Sequence, residues 1–160
     1  YDANYGEGPQ PYNITVKGNT VNGVGCSRFP AFFLSSITPW AGGPIQGEHP
    51  IRNIVIEDNV FNNPRNTIIS SNGTDGLSVI NNKVHMDGAS DLKDKPLILL
   101  ENSNGVRING FDIDDKKEKT GAIVKICKSM DSGEAGVFIE DISVTTAHGS
   151  RPAEIIDERI

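Results

Sequence analysis

Carboxylate side chains are the groups through which this sequence could do chemistry. The 160 residues contain no Gly-rich phosphate loop, no nucleophile elbow and no Cys-x-x-Cys pair. Glycosidases work with two carboxyl groups, about 6.5–9.5 Å apart in inverting enzymes and about 5–5.5 Å apart in retaining ones. The chemistry to look for is therefore acid/base hydrolysis by a carboxylate pair, which needs no cofactor.

Asp58 and Asp75 are the two acids that the chain could bring to such a distance. Asp58 stands at a bend within one copy of an internal repeat, and Asp75 lies in the turn that enters the next copy. Repeats stacked about 4.8 Å apart could bring the two acids together. Glu57 and Glu140 lie three repeats apart, about 14 Å, which is too far. Glu57 is explained more simply as the ion-pair partner of Lys17. We therefore predict Asp58 and Asp75 as the catalytic pair.

The longest irregular loop, residues 35–50, carries Trp40, the only tryptophan of the chain. Long loops in compact folds are often functional, and an exposed Trp beside glycines can stack on the C–H face of a sugar. The alternative is that Trp40 folds back and covers the flank of the molecule. With Trp40 we predict His49, Arg52 and Glu57 as substrate-binding residues.

Several classes of site and partner are disfavoured by composition. The three histidines, His49, His85 and His148, lack metal-ligand spacing, so we predict no metal site. A net charge of −6 without a basic stripe argues against nucleic acid as a partner. No run of about 18 apolar residues is present, so we predict no membrane span.

Two charged insertions and two cysteines complete the candidate chemistry. We predict residues 85–95 and 114–119 as solvated loops, including the acids Asp114 and Asp115. Cys26 and Cys127 lie far apart in the sequence, and we predict both as free thiols.

An internal repeat must position these side chains, and it is the most regular feature of the sequence. Its five copies begin at residues 13, 53, 76, 105 and 136. Two positions that are two residues apart are aliphatic in every copy, and a third apolar position follows five residues later. These three columns are Ile14, Ile54, Leu77, Val106 and Val137; Val16, Ile56, Val79, Ile108 and Ile139; and Val21, Phe61, Val84, Ile113 and Val144. This spacing predicts a strand with one buried face, then a bend.

Polar residues recur at fixed places in the repeat as well. The bend carries Asn19, Asn59 and Asn82 in the first three copies, where inward amides could bond one another from copy to copy. Asn or Gly stands before each strand, and both enter left-handed backbone conformations at low cost. A sharp turn is therefore predicted before every copy.

A parallel β-solenoid is the fold that the repeat predicts. Each copy also contains a second apolar strand, at residues 31–34, 67–70, 97–100, 122–126 and 153–156. Strands that pair with their equivalents in neighbouring copies would stack five rungs over roughly 24 Å. We predict an irregular lead-in at residues 1–12 and the rungs at 13–160. The alternative is a β-sandwich, whose strands also recur with turns between them.

The sequence resembles a group of known families. The segment from Asn53-Ile-Val-Ile-Glu-Asp-Asn-Val-Phe61 to Val84 resembles consecutive coils of right-handed parallel β-helix proteins of the pectate-lyase-like type. These include polysaccharide lyases, polygalacturonases and other glycoside hydrolases. The phrase from His49 to Phe61, followed by Thr74-Asp-Gly-Leu77, is especially similar to the later coils of the family 110 α-galactosidases.

This resemblance implies a secreted or cell-surface, all-β, right-handed parallel β-helix that acts on an oligo- or polysaccharide. Family 110 enzymes are inverting exo-enzymes that remove terminal α-1,3-linked galactose with surface acids. The resemblance does not match those acids to positions in this sequence, so it implies that further coils or another domain of the same protein share the catalytic centre. A different hypothesis is a non-catalytic glycan-binding or structural β-helix, as in phage tailspikes and surface adhesins.

Overall fold

Alternating apolar and polar residues build the strands of this protein, because successive side chains of a strand point to opposite faces. The computed structural model describes residues 11–25, 31–35, 51–88, 91–127 and 136–159. Within these ranges the regular structure is all β, with no helix. The strands are β1 (Tyr12–Lys17), β2 (Thr20–Asn22), β3 (Phe33–Leu34), β4 (Ile51–Glu57), β5 (Val60–Asn62), β6 (Ile69–Asn72), β7 (Thr74–Ile80), β8 (Lys83–His85), β9 (Ile98–Glu101), β10 (Val106–Asp114), β11 (Val124–Ile126), β12 (Val137–Thr146), β13 (Gly149–Arg151) and β14 (Ile155–Asp157).

The strands form two sheets, which we call the large sheet and the small sheet. The large sheet has nine strands. Before the bend, the strands lie side by side in the order of the repeats: β1, β4, β7, β10 and β12. Beyond the bend, β2, β5 and β8 lie side by side and β8 pairs with the second half of β10, while β13 pairs with β12. The small sheet has five strands in the order β3-β6-β9-β11-β14. Every pair is parallel except β12–β13. An all-β fold with mostly parallel strands is compatible with a β-helix or solenoid.

The strand register confirms the predicted apolar columns. Ile14 pairs with Ile54, and Ile54 pairs with Leu77. Beyond the bend, Phe61 pairs with Val84, which pairs in turn with Ile113. The second strand of each repeat is confirmed too, and it begins one or two residues later than predicted.

The core lies between the buried faces of the two sheets. Ile56 and Val79 of the large sheet belong to the same apolar cluster as Ile69 and Ile98 of the small sheet, and none of the four is exposed. Fully burying such a side chain contributes about 1.5–3 kcal/mol. Packing of the two sheets on each other therefore fixes which face of each strand stays outside.

The predicted asparagine ladder is present at the bend. The backbone and side-chain amides of Asn19 both donate to Oδ1 of Asn59, at 3.0 and 2.9 Å. Asn59 makes the same two donations to Asn82 Oδ1, each at 3.0 Å. Asn82 in turn donates to the carbonyl oxygens of Ile56 and Ile80. These bonds satisfy buried amides that would otherwise destabilise the bend.

Left-handed residues occupy two columns of the repeat, and only one was predicted. The predicted column has five members, and four of them, Asn13, Asn53, Gly76 and Gly105, have φ between 54° and 77°. Asn13, Asn53 and Gly76 lie inside β1, β4 and β7, so the expected turn is a kink within the strand. The second column lies one residue before the bend asparagines, and its five members are Gly18, Asp58, Asn81, Gly110 and Asp141.

The two charged insertions differ from the prediction of solvated loops. Asp115 is fully buried and accepts hydrogen bonds from the backbone amides of Lys119 and Thr120 and from the Thr120 hydroxyl. Arg151 of β13 donates to both oxygen atoms of Thr120, at 3.0 and 2.8 Å. Asp115 is buried because its carboxylate binds the other end of its own loop, at Lys119 and Thr120. This arrangement also holds Thr120 in contact with Arg151. His85 also differs, since it is the last residue of β8.

Candidate functional site

The predicted catalytic pair is not brought together, which is a correction to the sequence prediction. Asp75 lies beside Arg52 in the register of β4 and β7, whereas Asp58 follows the far end of β4. Six residues separate Arg52 from Asp58, which corresponds to roughly 15–20 Å along a strand. The pairing of Asp58 with Asp75 is wrong because the two acids stand at opposite ends of neighbouring strands.

Asp58 and Glu57 share one cationic partner. Nζ of Lys17 lies 3.1 Å from Oε2 of Glu57 and 3.2 Å from Oδ2 of Asp58. Hydrogen bonds from Lys17 to Glu57, and secondly to Asp58, raise the pKa of the lysine. The predicted Lys17–Glu57 ion pair is thus confirmed. Asp58 also occupies the left-handed column, with φ of 54°, so backbone geometry accounts for an Asp at this position.

The predicted substrate-binding residues are only partly within the described chain. Trp40 and His49 lie outside the described residues. Arg52 is exposed on β4, between Tyr12 of β1 and Asp75 of β7. Arg52 and Glu57 therefore sit on the same strand, at its opposite ends, and Glu57 is occupied by Lys17.

An open groove of about 290 Å³ lies on the large sheet beyond the bend. It crosses three adjacent strands, β8, β10 and β12. The strand register arranges its exposed polar lining in two rows, three residues in each. One row is Lys83, Asp112 and Ser143, and the other is His85, Asp114 and Thr145. Polar side chains of five different types therefore line a single surface.

Local sequence explains why these side chains face outward. Residues Phe111, Asp112, Ile113 and Asp114 alternate between buried apolar and more exposed acidic side chains. The left-handed Gly110 precedes them and starts a new alternation after the bend. Because Phe111 and Ile113 are fixed in the core, both aspartates must point toward the groove.

Each aspartate of the groove already has polar neighbours. The Ser143 hydroxyl donates to Oδ1 of Asp112 at 2.7 Å. Nδ1 of His85 lies 3.7 Å from Oδ2 of Asp114, and Nζ of Lys116 lies 3.3 Å from Oδ1. The Lys116 contact is an ion pair without hydrogen-bond geometry, because Oδ1 accepts no hydrogen bond within the described residues. The groove therefore combines two carboxylates with two hydroxyls, an imidazole and the ammonium group of Lys83, and Lys116 contacts one of its carboxylates.

The two carboxylates have a spacing that hydrolysis could use. Asp112 and Asp114 are alternate residues of one strand. A strand advances about 3.3 Å per residue, so the attachment points of these side chains lie about 6.6 Å apart. Inverting glycosidases hold their carboxyl groups about 6.5–9.5 Å apart. Asp112 and Asp114 are thus two carboxylates on one strand that line the same groove.

Two features concealed this pair in the sequence. The two acids belong to one repeat instead of neighbouring repeats, and Asp114 begins a charged segment that is predicted as a loop. The usable signal was the alternation Phe111-Asp-Ile-Asp114, in which two acids share one face. Recognising that the third apolar column continues the strand would have identified both residues.

Other reactive groups in the described ranges do not form a competing site. Cys127 is a free thiol, and partial burial raises its pKa, which lowers its reactivity at neutral pH. Across the part of the chain that the structure describes, no cluster of three His, Cys, Asp or Glu side chains could hold a metal ion. That same part contains no helix of sufficient length and apolarity to cross a membrane.

No family model matches the chain, and no curated protein or solved structure matches it either.

Proposed function

We propose that the protein is a carbohydrate-active right-handed parallel β-helix of about five rungs, and that it is a glycoside hydrolase of the α-galactosidase-like kind. Its place of action is outside the cell or at the cell surface. The two sheets with strands in repeat order support the fold, and the sequence resemblance supports the activity. The groove lined by Lys83, His85, Asp112, Asp114 and Ser143 is the saccharide site of this proposal.

The observation that carries the proposal is the pair of aspartates on one strand in an open polar groove. Sugar hydroxyls both donate and accept hydrogen bonds, and the groove offers carboxylate acceptors beside ammonium and imidazole groups that can donate. Its volume of about 290 Å³ is close to the lower limit of pockets that bind small ligands.

The proposed reaction assigns complementary tasks to the two carboxyl groups. One group protonates the glycosidic oxygen as the bond to the leaving sugar breaks. The other, ionised, takes a proton from a water molecule that attacks the anomeric carbon from the opposite face. The anomeric configuration is therefore inverted, and no cofactor participates.

Hydrolysis by defined variants tests this proposal. The chain is incubated with α-1,3-linked galactosides and, for comparison, with polyuronates, and released sugar is measured by chromatography. Asp112→Asn and Asp114→Asn should each lower galactose release by about 100-fold or more. Asp94→Asn, which changes an exposed acid outside the groove, is the matched control and should release galactose at the unaltered rate.

The anomer released is the second readout. Proton NMR of the first product should show inverted configuration, as the proposed roles of general acid and general base require. Undiminished activity of both groove variants would show that hydrolysis occurs elsewhere, and a retained configuration would contradict this pair geometry.

Binding without cleavage is the second candidate function. Both aspartates already have partners, Ser143 for Asp112 and His85 with Lys116 for Asp114. Groups held in this way can recognise sugar hydroxyls without transferring protons. Saccharide binding that the groove variants weaken, with no sugar released by the unaltered chain, would favour this function over hydrolysis.

A further inference from the structure

We propose that Phe138 and its polar neighbours form a second saccharide subsite on the outer face of the large sheet. The subsite would hold one sugar ring of an oligosaccharide whose scissile end occupies the groove. This inference therefore rests on the proposed function. Its ligand is an oligosaccharide rather than a single sugar.

Phe138 is an aromatic side chain at a position where burial is not required. It lies on β12 and is 62% exposed, while Val137 and Ile139 on either side pack against the core. The ring lies over Gly136, since a Cβ atom at that glycine would be 3.6 Å from two of its carbon atoms. The ring thus rests along the sheet surface instead of entering the core.

Planar polar side chains share the outer face of β10 and β12 with Phe138. Arg107 of β10 is the register partner of Phe138, and its guanidinium lies 3.7 Å from Oε2 of Glu140. The Asn109 side chain donates to the same oxygen at 3.1 Å. An exposed ring on the same sheet face as guanidinium, amide and carboxylate groups suits a pyranose, which has a C–H face and a rim of hydroxyls. One exposed ring among charged groups is too small an apolar area for a stable protein interface.

Continuity with the groove identifies the ligand as an extended saccharide. Arg107 and Asp112 belong to β10, and Phe138 and Ser143 belong to β12, so the same two strands carry both sites. Five residues separate the two sites on each strand, which corresponds to roughly 15 Å. A single sugar ring cannot bridge that distance, whereas an oligosaccharide that lies along the strands can.

Calorimetric titration of the chain with galactose and with a sulfur-linked α-1,3-galactotetraose, whose thioglycosidic bonds resist hydrolysis, tests the subsite. Phe138→Ala should weaken tetrasaccharide binding by about tenfold and should change galactose binding less than twofold. Phe138→Tyr, which keeps the ring, should bind the tetrasaccharide as the unaltered chain does. Tyr12→Ala removes an equally exposed ring from β1 and should leave both affinities unchanged.

The outcomes separate this inference from the proposed function. Equal tetrasaccharide affinity of the Phe138→Ala and unaltered chains, with unchanged thermal unfolding midpoints, would overturn the subsite alone. Binding that depends on Phe138, without hydrolysis of oxygen-linked α-1,3-galactosides by the unaltered chain, would support the subsite and overturn only the catalytic part of the proposed function. Failure of the unaltered chain to bind either sugar would overturn both. If Phe138→Ala does not fold, Arg107→Ala replaces it as the test. Arg107→Ala should weaken tetrasaccharide binding and leave galactose binding unchanged.

Discussion

At the scale of single residues, the backbone decides whether an acid is available for chemistry. Asp58 and Asp141 both adopt positive φ in a column that also contains Gly18 and Gly110. Asp is tolerated in this conformation, as Gly and Asn are, so its presence there has a structural explanation. Asp112 instead lies on an extended strand with its side chain exposed. Similar acids therefore differ in exposure and direction because their φ angles and faces differ.

Asn59 gives a prediction at this scale, because it is fully buried and bonds residues on both sides. Asn59→Ala removes the acceptor for Asn19 and the donor to the Val16 carbonyl oxygen. Leaving buried polar groups unpaired should lower the free energy of unfolding by about 2–4 kcal/mol. Urea denaturation monitored by circular dichroism measures this change.

Asn19→Ala is the control for the ladder, because Asn19 is exposed at its outer end. It should cost less than about 1 kcal/mol, since water can replace its bonds. Equal losses for the two variants would contradict the importance of burial.

At the scale of the element, the bend in the large sheet is a left-handed kink that the strands can tolerate. In the first three repeats the strand is interrupted at this point, whereas β10 and β12 run through it as single strands. The kink is present in both cases, with φ of 67° at Gly110 and 50° at Asp141. Because β10 continues beyond the kink at Gly110, its last residues hold Asp112 and Asp114 in the groove. The position of both aspartates therefore depends on the backbone conformation at Gly110.

Gly110 provides a prediction for the element. A Cβ atom there would lie 2.5 Å from Oδ1 of Asn81, whereas at Gly18 in the same column it would meet nothing within 4 Å. Gly110→Ala should therefore lower the free energy of unfolding by about 2–3 kcal/mol, from backbone strain and steric overlap. Gly18→Ala should cost only the strain, about 1 kcal/mol. Chemical denaturation of the two variants measures the difference, and equal costs would contradict the steric part.

At the scale of the whole molecule, position in the stack controls burial within a column. Ile14, Ile54 and Leu77 are equivalent residues of successive repeats. Ile54 and Leu77 are buried, but Ile14 on the outermost described strand, β1, is 40% exposed. Contacts with neighbouring strands on both sides, rather than sequence identity, give the inner repeats their stability.

The corresponding prediction compares the same substitution at two levels of the stack. Ile54→Ala should lower the free energy of unfolding by about 2–5 kcal/mol, because it leaves a cavity in a packed core. Ile14→Ala should lower it by less than about 1 kcal/mol, because that side chain is partly solvated. Denaturation midpoints of the two variants provide the test. A larger loss for Ile14→Ala would show that β1 is covered more than its exposure indicates.

The sequence by itself determined the parallel strands, the register of the three apolar columns and the asparagine ladder. Each depends on residues that recur at a fixed spacing, so local pattern and packing impose the same answer. It also identified the Lys17–Glu57 pair, because equivalent positions of neighbouring repeats stand side by side.

Only the tertiary structure decided where the acids stand relative to one another. Asp58 and Asp75 are near in sequence but occupy opposite ends of adjacent strands, because β4 runs parallel to β7 with Arg52 beside Asp75. The sequence predicts a solvated Asp115, but the residue is buried. Thr120 of the same loop donates a hydrogen bond to Asp115, and Arg151 of β13 donates one to Thr120. The groove joins residues from three repeats that meet only when their strands pair. Lateral pairing and loop closure are long-range events, and no single stretch of sequence records them.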